Sequence, residues 1–185
     1  MGLPDKIVAL HQALDAASIP HAFGGALALA WCTQRARGTI DVDVNVFVAP
    51  DHVDEVVAAL PDGVACTDDD LERIRRDGQT RLWWESTPVD VFFNTTAFHE
   101  RTAARARIEP FMGVDVPFLA CRDIAVFKAF FDRTKDWADL EEMSAAGTLD
   151  VDAVLGTLVR YLGGDDPRIE KVRSLAGPSE AVPPS

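Results

Sequence analysis

The strongest periodicity in the chain runs over residues 39–48, where Ile40, Val42, Val44, Val46 and Val48 share one parity and Asp41, Asp43, Asn45 and Phe47 the other. Alternation with period two predicts a β-strand that turns its Ile and Val face to a core. Upstream, Ile7, Leu10 and Leu14 (with Val8 beside them) are spaced as one face of a helix over residues 4–16. Ser18-Ile19-Pro20 breaks that pattern. His21-Ala22-Phe23 then reads as a short strand leading into Gly24-Gly25, and residues 26–34 return to helix. Beyond Ala49-Pro50-Asp51 a helix is expected over 52–60 with Asp51 as its N-cap, then a charged helix over 68–77. Residues 80–84 and 88–94 read as two strands joined by a turn at Glu85-Ser86-Thr87. A helix over 96–106 and a hairpin of 108–112 with 114–119 about Gly113 follow. From Arg122 onward the pattern is helical in four segments, 122–132, 135–145, 151–162 and 167–175. A proline-rich tail over 177–185 is expected to be disordered.

These elements predict an α/β half over residues 1–119, a helical region over 120–176 packed on it, and the tail over 177–185. No linker composition marks the boundary, and no internal repeat is visible.

Composition narrows the classes. The 185 residues are 48% hydrophobic, enough for a core without metal or disulfide staples. The three cysteines, Cys32, Cys66 and Cys121, are an odd, widely spaced set with no CxxC, which argues against a disulfide framework and fits a reducing cytoplasm. His11, His21, His52 and His99 form no HxxxH pair, so a histidine-bound zinc is not expected. The apolar run 26–32 is too short to span a bilayer, and no secretory signal is visible, so no membrane role is expected. Met1-Gly2 is followed at position 6 by Lys6, where a myristoylation start needs Ser or Thr. The net charge of −12, from 30 acidic against 18 basic residues, repels nucleic acid in general and leaves room only for a local basic patch or a basic partner.

The polar parity of the 39–48 strand carries the first candidate chemistry. Carboxylates at i and i+2 share a face with bases roughly 7 Å apart. Asp41 and Asp43 can therefore reach one divalent cation, or two cations about 3.5–4 Å apart. Two like charges beside a core call for a positive neighbour, and a hard cation such as magnesium suits carboxylate oxygens. Taken alone, such a pair is more often a solvated strand face. Three neighbours add to it. Gly24-Gly25, between a strand and a helix start, lets backbone N–H groups approach a phosphate. Arg37-Gly38-Thr39 offers a guanidinium and a hydroxyl just before the acids. Asp90, in Pro88-Val89-Asp90-Val91-Phe92-Phe93, is a third acid on a second buried strand, a costly place for an unpaired charge. It would complete a metal triad or take a proton from an attacking hydroxyl.

The order Gly-Gly, Arg-x-Thr-x-Asp-x-Asp, then a single acid on a later strand resembles the nucleotidyltransferase superfamily of polymerase β-like fold. Residues 122–129 (Arg-Asp-Ile-Ala-Val-Phe-Lys-Ala) and 133–140 (Arg-Thr-Lys-Asp-Trp-Ala-Asp-Leu) look like the DLxxxKxxA and R-x-KDxxDL signature of its minimal members, most of all the AbiEii and MenT toxins of toxin–antitoxin systems. The resemblance covers about residues 19–140 and implies a mixed β-sheet flanked by helices with a small C-terminal helical region. It implies that Gly24 and Gly25 hold nucleotide phosphates, with Arg37 and Thr39 beside them, and that Asp41 and Asp43 bind magnesium or manganese. Asp90 matches the third acid, Lys128 the lysine that contacts the triphosphate, and Lys135, Asp136 and Asp139 the KDxxD stretch. The superfamily's Gly-Ser is here Gly24-Gly25-Ala26, so Thr39 is the residue left to replace the lost hydroxyl.

Structural readings stand beside these. Lys128 with Asp132, and Lys135 with Asp139, are spaced as surface ion pairs on a helix. Trp83-Trp84 either stacks a base or fills a core. Arg73, Arg75, Arg76, Arg81, Arg101, Arg105 and Arg107 either guide an RNA end or are solvated. Asp152 is either a late site acid or part of a helix start.

The reaction implied is attack of a hydroxyl on the α-phosphate of a nucleoside triphosphate. By resemblance to the toxins, the acceptor is the 3′ end of tRNA, the nucleotide a pyrimidine, the outcome growth arrest, and the partner an antitoxin protein. Thr39 is also a candidate phosphorylation site, since a phosphate there would face Asp41 and Asp43. The alternatives are the same chemistry on a small molecule such as an aminoglycoside or on a protein hydroxyl, and a non-catalytic nucleotide-binding or partner-binding module.

Overall fold

The structure is a computed structural model and describes residues 1–36 and 38–176. Along the chain run α1 (Leu3–Ala16), β1 (His21–Phe23), α2 (Gly25–Thr33), β2 (Val42–Val46), α3 (Val53–Ala59), β3 (Val64–Ala65), α4 (Asp68–Asp77), β4 (Gln79–Trp84), β5 (Thr87–Phe93), α5 (Ala97–Thr102), β6 (Arg107–Phe111), β7 (Val114–Phe118), α6 (Cys121–Phe131), α7 (Thr134–Ala145), α8 (Val151–Leu162) and α9 (Pro167–Ser174). The chain divides into a sheet unit, Met1–Ala28 with Ala36–Ala120, and a helical unit, Leu29–Arg35 with the residues from Cys121 onward.

The sheet unit is built on seven strands in the order β3-β4-β5-β2-β1-β7-β6. β2 runs parallel to β5 and antiparallel to β1, and β1 runs parallel to β7, so the sheet is mixed. β2 lies at its centre. Val42, Val44 and Val46 are fully buried on one face, and on the other Asn45 and Phe47 are buried as well. The strand is shorter than its sequence pattern. Pairing with β5 begins only at Val42, so residues 39–41 precede the ladder and Ile40 is 81% exposed although it shares the valines' parity.

Two features place β4 and β5 beside β2. Gly78 closes α4 with a left-handed φ of 71°, and a Cβ there would lie 2.0 Å from the Thr95 side chain. Only glycine makes that reversal without strain. The β4–β5 turn is held by Lys6, whose buried ammonium donates to the Trp84 carbonyl (2.8 Å) and the Thr87 hydroxyl (2.9 Å) and pairs with Glu85 (2.9 Å). Burying a lysine is costly unless its protons are satisfied, and these contacts satisfy them.

Several local expectations change. Asp51 lies inside a 3-10 turn, Pro50–His52, and α3 starts from His52 without a side-chain cap. The helix expected over 96–106 stops at Thr102 and continues as a 3-10 turn, Ala103–Arg105. β3 is too short to show a period in sequence. In the helical unit, Cys32 and Cys121 form a disulfide across 89 residues with Cα atoms 5.4 Å apart, so the expectation from cysteine count fails for this pair. Spacing along the chain carries no trace of such a contact. The unit's core is made of Ile124, Ala125 and Val126 of α6, Leu140 and Met143 of α7, Val154 and Leu158 of α8, and Ile169 and Val172 of α9. Among the described residues no helix is long and apolar enough to cross a membrane. The tail, 177–185, lies outside the described residues.

Candidate active site

Strand register brings the acids together. Asp43 of β2 lies directly beside Asp90 of β5 in the parallel ladder, and Asp90 lies opposite Arg81 of β4 in the antiparallel one. Paired residues on adjacent strands point to the same face, so Asp43, Asp90 and Arg81 form one rung of charge. The Arg81 guanidinium grips Asp90 side-on: Nε–H donates to Oδ1 and Nη2–H to Oδ2, both at 2.7 Å. The same Nη2 lies 3.8 Å from an Asp41 oxygen. The hydrogen bonds to Asp90 raise the Arg81 pKa above its ordinary value. Burial opposes this, and the charges of Asp90, Asp41 and Asp43 add to it. The unpaired charge that sequence placed on β5 is thus paired, by a residue grouped in sequence with a possible RNA-guiding patch.

Asp41 sits just before β2 and is held locally. The Thr39 hydroxyl donates to its Oδ1 at 2.5 Å, and the Asp41 N–H donates back to the Thr39 oxygen at 3.4 Å. Thr39 is therefore engaged with a carboxylate rather than open as a substitute phosphate contact. The glycine pair also divides its roles. Gly24 N–H donates to the Asp43 carbonyl at 2.9 Å, tying β1 to β2. Gly25 opens α2 with φ of 52°, and a Cβ built on it would lie 1.9 Å from Asp43 Oδ2. The absent side chain is what lets the Asp43 carboxylate lie against the start of α2. First-turn N–H groups of a helix have no intrahelical acceptor and favour an anion.

Asp90 and Asp41 lie 2.7 and 3.8 Å from the Arg81 guanidinium and Asp43 stands on the same rung as Asp90, and carboxylate oxygens are the hard donors that suit magnesium or manganese. Among the described residues no group of three or more His, Cys, Asp or Glu side chains stands ready-arranged around a metal position. Of these acids, Asp90 is held by Arg81 and Asp41 by Thr39. Arg37 lies outside the described residues.

The helical unit gathers a second set. Lys128 of α6 donates to Asp139 of α7 at 2.5 Å and lies 3.7 Å from Asp136, which is fully buried and also bound by Arg133 at 2.6 Å. Lys128 thus reaches across to α7 rather than along its own helix. Asp132 instead accepts from Lys171 (2.8 Å) and the Trp137 indole (2.7 Å). Lys135 is exposed on α7, and Asp152 is exposed in the first turn of α8 behind the Asp150 N-cap. Of the basic residues, Arg75 binds Asp54, Arg76 binds Asp77 and Arg107 binds Glu109. Trp84 is buried, whereas Trp83 is half exposed.

Arg81 is the site residue that sequence reasoning missed. A signal existed: in a hairpin, the turn length fixes which residue faces Asp90. The turn expected at Glu85-Ser86-Thr87 puts Leu82 there. The two-residue turn observed, Glu85-Ser86 with Glu85 at φ 55°, puts Arg81 there instead.

No protein-family model matches the chain, and no curated protein matches it in sequence. Solved structures do share its fold. An antigenic nucleotidyltransferase-like protein from Paracoccidioides brasiliensis superposes with a TM-score of 0.55 at 14% identity, over 91% of this chain and 92% of that one. ANT(2'')-Ia in complex with adenylyl-2''-tobramycin superposes with a TM-score of 0.51 at 15% identity, over 93% of both chains. A solution structure of the same antibiotic-resistance factor gives 0.51 at 12% identity, over 93% of this chain and 88% of that one. The seven-stranded mixed sheet with its flanking helices is thus a nucleotidyltransferase-type fold.

Proposed function

We propose that this protein is a metal-dependent nucleotidyltransferase, in which Asp41 and Asp43 hold magnesium or manganese and a nucleoside triphosphate is the donor. The observation that carries the reading is the pairing of Asp43 with Asp90 on one rung of the sheet beside the start of α2, with Asp41 just before β2 and Gly25 shaped to admit the Asp43 carboxylate. The fold's likeness to nucleotidyltransferase-like structures supports it. In the reaction an acceptor hydroxyl oxygen bonds to the α-phosphorus, the bridge to the β-phosphate breaks, and pyrophosphate leaves. When bound, the divalent cation offsets negative charge on the phosphate oxygens. The protein's part is positioning, which supplies most of the acceleration in such transfers. Thr39 fixes the Asp41 carboxylate, Gly24 ties β1 to the Asp43 backbone, and the first turn of α2 faces the phosphates. Asp90 receives the acceptor's proton once its oxygens are free. Lys128, with Asp136 and Asp139, is assigned to the triphosphate by sequence resemblance, as are Lys135 and Arg37.

Two acceptors have support from different observations. Resemblance of residues 122–140 to the AbiEii and MenT toxins favours the 3′ end of tRNA, a pyrimidine nucleotide, action in the cytoplasm and control by an antitoxin. The net charge of −12 and the full-length likeness to ANT(2'')-Ia favour a small cationic molecule. Phosphorylation of Thr39 would break its bond to Asp41 and set about two negative charges beside it. A Thr39→Glu variant is therefore expected to be inactive, and full activity would remove that switch. To identify the acceptor, the protein is incubated with magnesium and each α-labelled triphosphate, with total cellular RNA or a panel of aminoglycosides, and Asp41→Ala as control. Label in a tRNA-sized band that the variant lacks supports the first acceptor, and label on a polyamine sugar the second. Label on neither means that the acceptor assignment is wrong.

A further inference from the structure

Arg81 occupies the place that the proposed metal would contest. Both oxygens of Asp90 are taken by its side-on grip, and the same nitrogen reaches towards Asp41. A divalent cation held by Asp41 and Asp43 would stand beside the Arg81 guanidinium, and the two like charges repel. Metal entry therefore weakens the grip of Arg81 on Asp90.

The structure gives Arg81 somewhere to go. Among the described residues the strand paired with β4 on its outer side is β3, whose two residues pair with Trp83 and Trp84. Arg81 lies beyond the end of that short ladder, and its side chain is half exposed, whereas Asp90 is 18% exposed. Both groups sit on paired strands, but the arginine side chain has far more solvent around it than the acid. Arginine also carries its charge at every working pH, so its release cannot follow from deprotonation and needs a competing cation.

We propose that Arg81 is an exchangeable counter-ion: it neutralises Asp90 and Asp41 when no metal is bound, and it must release Asp90 when a divalent cation enters. It is a positioning residue, and the inference rests on the metal site proposed above. Its consequence is a site that is stable without metal but binds it less tightly than Asp41 and Asp43 would with no guanidinium beside them. Metal entry also frees Asp90, so the acid becomes available only when the site is charged.

The test uses metal alone, without nucleotide or turnover. Manganese affinity is measured by titration with paramagnetic detection for the wild type, Arg81→Met and Arg81→Lys. Arg81→Met keeps the apolar stem and loses the charge, so it is expected to bind manganese about tenfold more tightly and to melt lower when metal-free. Arg81→Lys, still charged, stays near the wild type. In parallel, the Arg81 Nε–H resonance of the wild-type protein is followed during a magnesium titration, which needs no variant to fold. It is expected to shift and lose protection as the grip on Asp90 opens. If the wild type binds metal but Arg81→Met binds no more tightly and the Nε–H signal does not move, the counter-ion role is wrong and the metal site stands. If neither protein binds metal, both fall.

Discussion

Gly25→Ala is the smallest change that separates a built site from a chance cluster of acids. The new Cβ would lie 1.9 Å from Asp43 Oδ2, 2.6 Å from its Cγ and 3.1 Å from its Cβ. Rotating the carboxylate relieves the first two contacts, but the third needs a backbone shift as well. The left-handed φ of 52° adds strain for any residue with a Cβ, roughly 1–2 kcal/mol. A stability loss of about 1–3 kcal/mol is therefore expected in urea unfolding. The functional loss should be larger, because a displacement of about 1 Å at a positioned group costs on the order of a hundredfold in rate. Gly156→Ala provides the contrast: its Cβ meets nothing within 4 Å inside α8, and glycine in a helix costs about 0.5–1 kcal/mol relative to alanine. That variant should gain stability. Wild-type manganese binding and unfolding in Gly25→Ala would refute the packing of Asp43 against α2.

Further outcomes follow from groups around the two units. Lys128→Met removes a buried cation from Asp139 and Asp136 and should cost about 3–5 kcal/mol in urea unfolding, with Lys128→Met/Asp139→Leu recovering part of it; wild-type stability in the single variant would mean that Lys128 is not held in the pair. Burial holds the His99 pKa down at about 4, against a hydrogen bond to the Phe93 backbone that raises it, so the unfolded chain takes up a proton near 6.5 that the folded one refuses. Stability should be complete above pH 6.5 and fall as pH drops towards 4, by about 3 kcal/mol in all. His99→Gln should flatten that slope between pH 7 and 5, and an unchanged slope would contradict the assignment. Reducing the Cys32–Cys121 bond opens a constraint across 89 residues, worth up to about 4–5 kcal/mol by loop entropy. Melting with and without reductant should therefore differ by about 10 °C in the wild type and not in Cys32→Ser.

Local periodicity carried much of the fold. The helix over 68–77 and the four C-terminal helices were legible because each buries one face at helical spacing, and the β6–β7 hairpin because Gly113 marks its turn. Residues 39–41 misled because alternation shows which face would be buried, not where pairing stops: β5 extends back to Thr87, but its ladder with β2 begins at Val89 opposite Val42. Asp41, Asp43 and Asp90 stood out as candidates, since acids among alternating apolar residues are conspicuous. Arg81 was not, because its meaning depends on a one-residue difference in turn length. The partners of Lys128 and Cys32 were hidden for the same reason at longer range. Asp139 and Cys121 become their neighbours only through tertiary packing.

The most direct measurement is pyrophosphate release from each nucleoside triphosphate, in the presence of cellular RNA and of aminoglycosides, as magnesium is titrated from zero. Wild-type protein should release pyrophosphate only with metal, and Asp43→Asn should lose at least a hundredfold while keeping its fold by circular dichroism. Release that persists without a divalent cation, or survives in Asp43→Asn, would contradict a metal-dependent centre at Asp41 and Asp43.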